Sequence, residues 1–226
     1  LSGKEVLTSK RLANALKIAG CEVHEGIGGH GVVGVLKNGK GRVLMIRADM
    51  DALPLIEKTG LPYASKVQVR DDNGNLVGVM HACGHDINIT CLAGVASVLG
   101  KMKDQWRGTI LLVGQPAEET GRGARAMLVD GLFTKFPKPD LALALHCDGR
   151  FPFGHVNYRA GPMQANVDSV EIIIKGKGGH GAFPDKAIDP IVIAARVVRD
   201  LQLIISRERD PLDPAVITVG SIHGGT

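Results

Sequence analysis

The segment His81-Ala82-Cys83-Gly84-His85-Asp86 places a thiol and an imidazole two residues apart. Side chains alternate along an extended segment, so Cys83 and His85 are expected to reach one metal ion or two adjacent ones. Thiolate, imidazole and carboxylate groups are the ligands that suit zinc and its neighbours. A structural zinc clip is one alternative, but no second Cys pair completes it. A thiol nucleophile with its base is another, but this spacing offers no usable proton path.

Two neighbouring carboxylates follow a predicted buried strand at residues 108–114. Glu118 and Glu119 stand on a turn after Pro116. One carboxylate can bind a metal while its neighbour takes a proton from the attacking water, because burial near a metal gives a glutamate the acidity that a general base needs. A solvated pair on a loop is the alternative, and the position at the end of an apolar strand argues against it.

Two more predicted strands run into polar side chains. Residues 43–48 lead into Asp49 and Asp51, and residues 141–146 end at His146. Sites in open α/β sheets form beyond the carboxyl ends of the strands, so these side chains are expected to meet at one edge. His146 is predicted to be a ligand rather than a core histidine. The aspartates are interpreted as groups that orient a ligating histidine, with a ligand role as the alternative.

Strands and helices alternate through the first part of the chain. Helical periodicity predicts helices at residues 3–18, 87–103 and 122–132. Together with the buried strands, this alternation indicates an α/β domain with a largely parallel central sheet. Asn38-Gly39 predicts a hairpin between residues 31–36 and 43–48.

Two glycine-containing turns complete this part of the prediction. Residues 71–74 (Asp-Asp-Asn-Gly) predict a hairpin between residues 66–70 and 76–80. The glycine-rich segment Gly26–Gly34 resembles a nucleotide-binding fingerprint. No helix follows it to hold a pyrophosphate, so we reject that interpretation.

The pattern changes in the last third of the chain. A helix is predicted from Asp189-Pro190 to about residue 206, between strands at residues 168–175 and 215–222. We therefore predict two domains, residues 1–162 and 163–226. The second is expected to be incomplete, because the chain stops directly after a strand.

Composition excludes several classes of function. The chain has 226 residues, a net charge of +4 and no basic stripe with interleaved aromatics, so neither nucleic acid nor a membrane is an expected partner. Cys21 and Cys91 are predicted to be buried thiols. A reduced, metal-bound Cys83 favours the cytoplasm. A cleaved export signal stays open, because the chain does not begin with Met.

Five segments occur here in one order: RADMDALP (47–54), MHACGHD (80–86), GQPAEE (114–119), LALH (143–146) and GKGGHGAFP…DP (176–190). Together they resemble the metallo-amidohydrolase family of hippurate hydrolases, N-acyl-amino-acid amidohydrolases, some carboxypeptidases and plant hydrolases of indoleacetyl-amino acids. The resemblance covers essentially the whole chain. It implies a two-metal α/β catalytic domain and an inserted α+β lid domain that also forms a homodimer, with the C-terminal part of the fold absent here.

The resemblance also implies roles for individual residues. The metal ligands carry over onto Cys83, His85, Glu119 and His146. The general base carries over onto Glu118, and a lid histidine that contacts the substrate carries over onto His180. Two divalent ions are expected, zinc or manganese before cobalt or nickel.

Two positions depart from the family pattern. Asn88 stands where the family usually has His, three residues after His85, and Asp185 stands where it has His after the lid proline. A last histidine ligand, which the family supplies after the lid, is also absent. These departures leave the metal orientation and the activity of this piece of chain open.

The predicted function is metal-dependent cleavage of N-acyl-amino acids, such as hippurate, to a carboxylic acid and a free amino acid. Glu118 takes the proton of the attacking water and passes it to the departing amine, while a metal and His180 stabilise the oxyanion. A metallocarboxypeptidase or dipeptidase is one alternative. A non-catalytic binding protein is another; Asn88 favours it and Glu118 argues against it.

Overall fold

The computed structural model describes residues 1–225, so Thr226 lies outside the described residues. The chain divides into two compact units, Leu1–His155 and Val156–Thr226. The predicted domains at residues 1–162 and 163–226, with their catalytic and lid roles, stay predictions. Within the described part of the chain, no helix combines the length and the apolar character that a membrane span requires.

The first unit is built on a five-stranded sheet in the order β1-β2-β6-β3-β7. The strands are β1 (Glu22–Ile27), β2 (Gly31–Asn38), β3 (Val43–Asp49), β6 (Gly108–Gln115) and β7 (Leu141–Ala144). β3 pairs in parallel with β6 and β7, whereas β2 is antiparallel to β1 and β6. Every strand except β2 therefore points the same way, which confirms the predicted α/β class with a mainly parallel sheet.

Helices cover both faces of this sheet. They are α1 (Val6–Ile18), α2 (His85–Lys101), α3 (Gly123–Val129) and α4 (Leu132–Lys135). In the central strand β6, Ile110 and Leu112 are buried in one core cluster with residues of α1 and α2. The alternate residues Leu111 and Val113 are buried in a second cluster with residues of α3 and α4. An apolar side chain at nearly every position of β6 thus fills two cores, because successive side chains point to opposite faces.

The hairpin predicted at Asn38-Gly39 is wrong. The chain does turn there, but β6 lies between β2 and β3, with Asn38 paired to Gly108 and Val43 paired to Thr109. Asn38-Gly39 favours a turn but does not determine which strands pair. Placing the apolar strand β6 between β2 and β3 buries both of its faces, and this burial decides the strand order.

Two short antiparallel connections agree with the sequence. β4 (Gln68–Arg70) and β5 (Leu76–Gly78) form the predicted ribbon around the Asp71–Gly74 turn. The glycine-rich segment joins β1 to β2 as a turn and no helix follows it, in agreement with the rejected nucleotide site.

The strand predicted at residues 141–146 is shorter and more exposed than expected. β7 ends at Ala144, and Leu141 and Leu143 are 56% and 57% exposed. Among the described residues, β7 pairs only with β3 and forms an edge of the sheet. An apolar sequence indicates a strand that can be buried, but it does not specify which elements would cover that strand.

The second unit contains one long helix, α5 (Pro190–Leu203), which continues as a π-helical turn. Asp189 caps its start, because the side chain accepts hydrogen bonds from the backbone N–H groups of Ile191 and Val192. The strands predicted at residues 168–175 and 215–222 are wrong: within residues 156–225, only a single bridge between residues 177 and 188 forms. Without a neighbouring strand, an alternating pattern has no partner for its backbone groups.

Candidate metal centre

The site lies where the parallel strands of the sheet end. Asp49, the last residue of β3, pairs with Gln115, the last residue of β6. β7 ends beside β3 at Ala144. The segments that carry Glu118 and His146 therefore leave the sheet at one edge, as the sequence predicted.

Cys83 and His85 lie on a turn rather than on the extended segment that was expected. Gly84 has a φ of 74°, and His85 is the first residue of α2. Only glycine adopts this left-handed conformation without a steric cost, and a Cβ at Gly84 would overlap Sγ of Cys147. The turn still brings the thiol and the imidazole together, so the predicted convergence holds for a different geometric reason.

His85 stands at the centre of the site and is fully buried. Its Nδ1 lies 2.9 Å from the backbone oxygen of Asp51, to which it donates. Its Nε2 is buried without a hydrogen-bond partner among the described residues. The nearest carboxylate oxygens of Asp49, Glu118 and Glu119 are 3.7, 3.8 and 3.8 Å from Nε2. A lone pair aimed at a group of carboxylates is the arrangement that a metal ion completes.

Two groups of potential ligands share His85. Ligand atoms of Cys83, His85 and His146 lie within 4.8 Å of one another, and so do those of Asp49, His85 and Glu118. Sγ of Cys83 is 3.4 Å from Nε2 of His146. Thiolate, imidazole and carboxylate donors around an unpartnered buried nitrogen fit zinc or a similar divalent ion. Sequence reasoning had placed three of these residues among the ligands and Glu118 beside them.

Asp51 orients His85 by contacting Nδ1, the ring nitrogen on the side away from the potential ligands. Its backbone oxygen holds Nδ1 of His85, while its Oδ2 accepts hydrogen bonds from Oγ of Ser2 (2.6 Å) and the backbone N–H of Glu119 (3.0 Å). Burial raises the pKa of this carboxyl, but the hydrogen bonds from His85 and Ser2 outweigh burial and hold the pKa well below its ordinary value. This geometry supports the interpretation of Asp51 as an ionised group that orients a ligating histidine.

Asp49 is held in a different way. Nη1 of Arg47 donates to its Oδ2 at 2.8 Å, and Nδ2 of Asn88 donates to its Oδ1 at 2.7 Å. Asp49 faces Nε2 of His85 rather than Nδ1. Asn88, at the position where the family usually has His, is therefore a donor to Asp49 and is 2% exposed.

The electrostatics of the site favour positive charge. Burial and the charge of Glu119 raise the pKa of the Cys83 thiol to about 11. Burial and the charge of Asp49 raise the pKa of Glu118. Burial lowers the pKa of His85, but the hydrogen bond that His85 donates to Asp51 and the charge of Asp49 outweigh burial and raise that pKa. A bound cation would counter these shifts, because it stabilises the thiolate and the carboxylates.

His146 has one nitrogen free for the site. Its Nδ1 donates to the backbone oxygen of Cys147 at 2.8 Å, which leaves Nε2 directed to Cys83. The nearby Asp148 does not support this histidine. It pairs with Arg150 at 2.6 Å, and the hydrogen bonds from that guanidinium lower the pKa of Asp148 to about 2.

His180 belongs to the second unit and is exposed. Its Nδ1 accepts a hydrogen bond from the backbone N–H of Ala182 at 3.1 Å, and its ring centroid lies 5.4 Å from that of Phe183. Its predicted contact with the substrate stays a prediction. Asp185 lies in a 3₁₀ turn, Pro184–Lys186.

Three residues that hold the site were not recognised from the sequence. Arg47 lies within the RADMDALP segment, so its position beside Asp49 offered a signal. Ser2 and Glu5 offered none, because their partners lie 49 and 112 residues away. One oxygen of Glu5 accepts the backbone N–H of Ala117 at 2.8 Å.

The chain matches the family model described as peptidase family M20/M25/M40 over residues 45–222. It is 42% identical over 230 residues to thermostable carboxypeptidase 1 of Saccharolobus solfataricus, covering 100% of this chain and 56% of that protein. It is 44% identical over 225 residues to hippurate hydrolase of Campylobacter jejuni, covering 98% of this chain and 55% of that protein. The chain thus spans about half the length of the curated relatives it matches.

A solved structure shares both fold and sequence with this chain. The crystal structure of a Bacillus subtilis dinuclear metal-binding peptidase from the M20 family matches with a TM-score of 0.65 and 31% identity. The match covers 90% of this chain and 52% of the Bacillus subtilis chain.

Proposed function

Because the chain belongs to peptidase family M20/M25/M40, we propose that the full-length protein is a metal-dependent amidohydrolase that cleaves N-acyl-amino acids to a carboxylic acid and a free amino acid. The observation that carries this proposal is the buried, unpartnered Nε2 of His85, surrounded by thiol, imidazole and carboxylate groups. The similarity to hippurate hydrolase of Campylobacter jejuni supports this class of substrate.

In this proposal Cys83, His85, Glu119 and His146 hold two divalent ions, zinc or manganese before cobalt or nickel. Bound ions of this kind would polarise the amide carbonyl and increase the acidity of the attacking water. Support for two ions comes from the similarity to the Bacillus subtilis M20 peptidase, which is a dinuclear metal-binding protein. Support for Cys83, His85 and His146 comes from their ligand atoms, which lie within 4.8 Å of one another. Support for Glu119 comes from its carboxylate oxygen, which lies 3.8 Å from Nε2 of His85.

Glu118 is proposed as the general base. Its carboxylate oxygen lies 3.8 Å from Nε2 of His85, and its side chain is 38% exposed, so a substrate can reach it. Burial and Asp49 raise its pKa, which makes the carboxylate a better proton acceptor than an ordinary surface glutamate. Glu118 takes the proton of the attacking water and delivers it to the nitrogen of the departing amine.

His180 is proposed to stabilise the oxyanion that forms during attack. Because the backbone N–H of Ala182 donates to Nδ1, the proton of the neutral ring lies on Nε2. An exposed Nε2–H is a donor that a developing oxyanion could accept from. His180→Ala is expected to lower kcat more than it raises KM, and an unchanged kcat would contradict the role.

A peptidase on short peptides is the second candidate, because thermostable carboxypeptidase 1 of Saccharolobus solfataricus is 42% identical over this whole chain. The two candidates differ in substrate and share the chemistry. A non-catalytic binding protein remains a competing proposal, and Glu118 weighs against it, since binding alone needs no base.

We also propose a homodimer formed through the second domain. A cytoplasmic location is proposed because all four cysteines are free thiols.

The test is release of free amino acid by the full-length protein from a panel of N-acyl-amino acids and dipeptides, with the protein metal-loaded or chelated. Metal-dependent release supports the hydrolase, and the preferred substrate separates the two candidates. No release from folded, metal-loaded protein would favour the binding protein.

A variant pair tests the base. Glu118→Gln is expected to lower kcat by roughly 10²–10⁴-fold while zinc binding, measured by calorimetry, is kept. Glu25→Gln is the matched control, since Glu25 is an exposed strand residue paired with Lys17 at 2.8 Å. Equal kcat in the two variants would refute the role of Glu118.

A further inference from the structure

Glu5 is a buried carboxylate that the proposed chemistry does not use. It is 3% exposed and stands at the residue before α1. A polar residue there usually caps the helix, but the side chain of Glu5 makes no hydrogen bond to the helix it precedes. Its Oε1 instead accepts the backbone N–H groups of Gly3 at 2.7 Å and of Ala117 at 2.8 Å. The single oxygen Oε1 thus joins the segment before α1 to the backbone of Ala117.

Ala117 is the residue that needs such support. Its φ is 48°, and no other non-glycine residue among residues 1–225 has a positive φ. The chain is also crowded there, because a Cβ at Gly123 would overlap the carbonyl oxygen of Pro116. Backbone in a sparsely populated conformation persists only where surrounding contacts hold it.

The same turn is held at a second point. The backbone N–H of Glu119 donates to Oδ2 of Asp51 at 3.0 Å. Glu118 therefore lies between two amides, each bonded to a buried carboxylate. Ser2 also donates to Oδ2 of Asp51 at 2.6 Å. The segment that contains Ser2 and Glu5 therefore contacts both carboxylates that bond to the Ala117 and Glu119 amides, namely Glu5 and Asp51.

We propose that Glu5 is a positioning residue: it fixes the strained turn at Ala117 and so sets the direction of the Glu118 and Glu119 carboxylates. This inference rests on the proposed role of Glu118 as the base. Glu5 does not touch the reacting atoms. Its effect passes through the Ala117 amide, and small displacements of a reacting group can cost up to about 10²-fold in rate.

Glu5→Asp separates this role from a merely structural one. Aspartate keeps the carboxyl group and is a preferred residue at a helix start, so a role confined to α1 predicts unchanged or higher stability. The side chain is one methylene shorter, so its carboxylate no longer reaches Ala117. Glu5→Gln is the rescue variant, because one oxygen of Glu5 accepts both bonds and the amide oxygen of glutamine can replace it. Glu25→Asp is the matched control on an exposed glutamate.

The experiment measures hydrogen exchange of the backbone amides in residues 115–121, together with kcat and KM, in the full-length, zinc-loaded protein. For Glu5→Asp we expect about 10-fold faster exchange and about 10-fold lower kcat, with KM changed by less than about 3-fold. Glu5→Gln is expected to lie within about 3-fold of the wild type on each measure.

Two outcomes would overturn the inference. One is unchanged exchange at residues 115–121 in Glu5→Asp. The other is faster exchange with unchanged kcat in a wild type that hydrolyses its substrate. A wild type without hydrolysis refutes the proposed function instead, and the exchange measurement then still decides whether Glu5 holds the turn.

Discussion

Gly84→Ala is expected to disturb the turn before α2 for two reasons that can be measured separately. Gly84 has a φ of 74°, and a left-handed backbone costs an alanine about 1–2 kcal/mol. The new Cβ would also overlap Sγ of Cys147, and overpacking of this kind adds about 1–3 kcal/mol. The expected loss of unfolding free energy is therefore about 2–5 kcal/mol.

The chain supplies a matched control for the first reason. Gly60 has a φ of 73°, and a Cβ built there meets no atom within 4 Å. Gly60→Ala should therefore cost only about 1–2 kcal/mol. The second reason is isolated in a Cys147→Ala background, where the thiol is gone and the remaining Cβ lies 3.7 Å from a Cβ at position 84. In that background Gly84→Ala is expected to cost no more than Gly60→Ala.

Urea unfolding of the full-length protein, with and without zinc, measures these differences. Zinc affinity should fall in Gly84→Ala and recover in part when Cys147→Ala is added, because the turn carries Cys83 and His85. Equal losses of unfolding free energy in Gly84→Ala and Gly60→Ala in the native background would contradict the overlap with Cys147. An extra cost of Gly84→Ala that survives removal of the Cys147 thiol would contradict it as well.

Three further predictions concern the same unit. Asn88→Leu removes the donor to Oδ1 of Asp49, so the unfolding free energy should fall by about 1–3 kcal/mol and the zinc affinity, measured by titration, should decrease. An unchanged unfolding free energy and an unchanged zinc affinity would show that this hydrogen bond contributes to neither. Zinc at 100 times its dissociation constant should raise the unfolding free energy by about 2.7 kcal/mol, a gain that a chelator reverses; an unchanged melting temperature would argue against a metal site. Cys21 is buried, and burial raises the pKa of its thiol. Its reaction with a disulfide reagent at pH 8 should therefore be at least about 10-fold slower in the native protein than in the urea-unfolded protein. Equal rates would contradict its burial.

The convergence at the sheet edge could be predicted because it follows from two local patterns. Apolar runs identify β3, β6 and β7, and polar residues directly after a run mark the edge where it ends. Parallel pairing then brings Asp49 and the segments that carry Glu118 and His146 to the same edge of the sheet. For Cys83 and His85 the predicted proximity was right and the predicted backbone was wrong, since a glycine between them permits a left-handed turn as easily as an extended chain.

The rest depended on contacts between distant parts of the chain. The sequence places β2 and β3 side by side, and only the packing of both faces of β6 explains why that strand comes between them. Nothing around Glu5 distinguishes it from a solvated glutamate, because its partner Ala117 lies 112 residues away. The exposure of β7 likewise depends on which elements cover it and not on its own apolar residues.

The ionisable groups of the site differ in whether fixed hydrogen-bond donors of the protein stabilise their charged form. Asp51 receives hydrogen bonds from Ser2 and the Glu119 amide, and Asp49 receives them from Arg47 and Asn88.

Asp51 is thus held ionised by fixed donors, which suits a group that orients a ligand, whereas Asp49 faces Nε2 of His85. Glu118 and Cys83 are in the opposite position, since burial and neighbouring carboxylates raise the pKa of each. Carboxylate oxygens of Asp49, Glu118 and Glu119 lie 3.7–3.8 Å from Nε2 of His85, and a cation bound there would stabilise the carboxylates and the Cys83 thiolate.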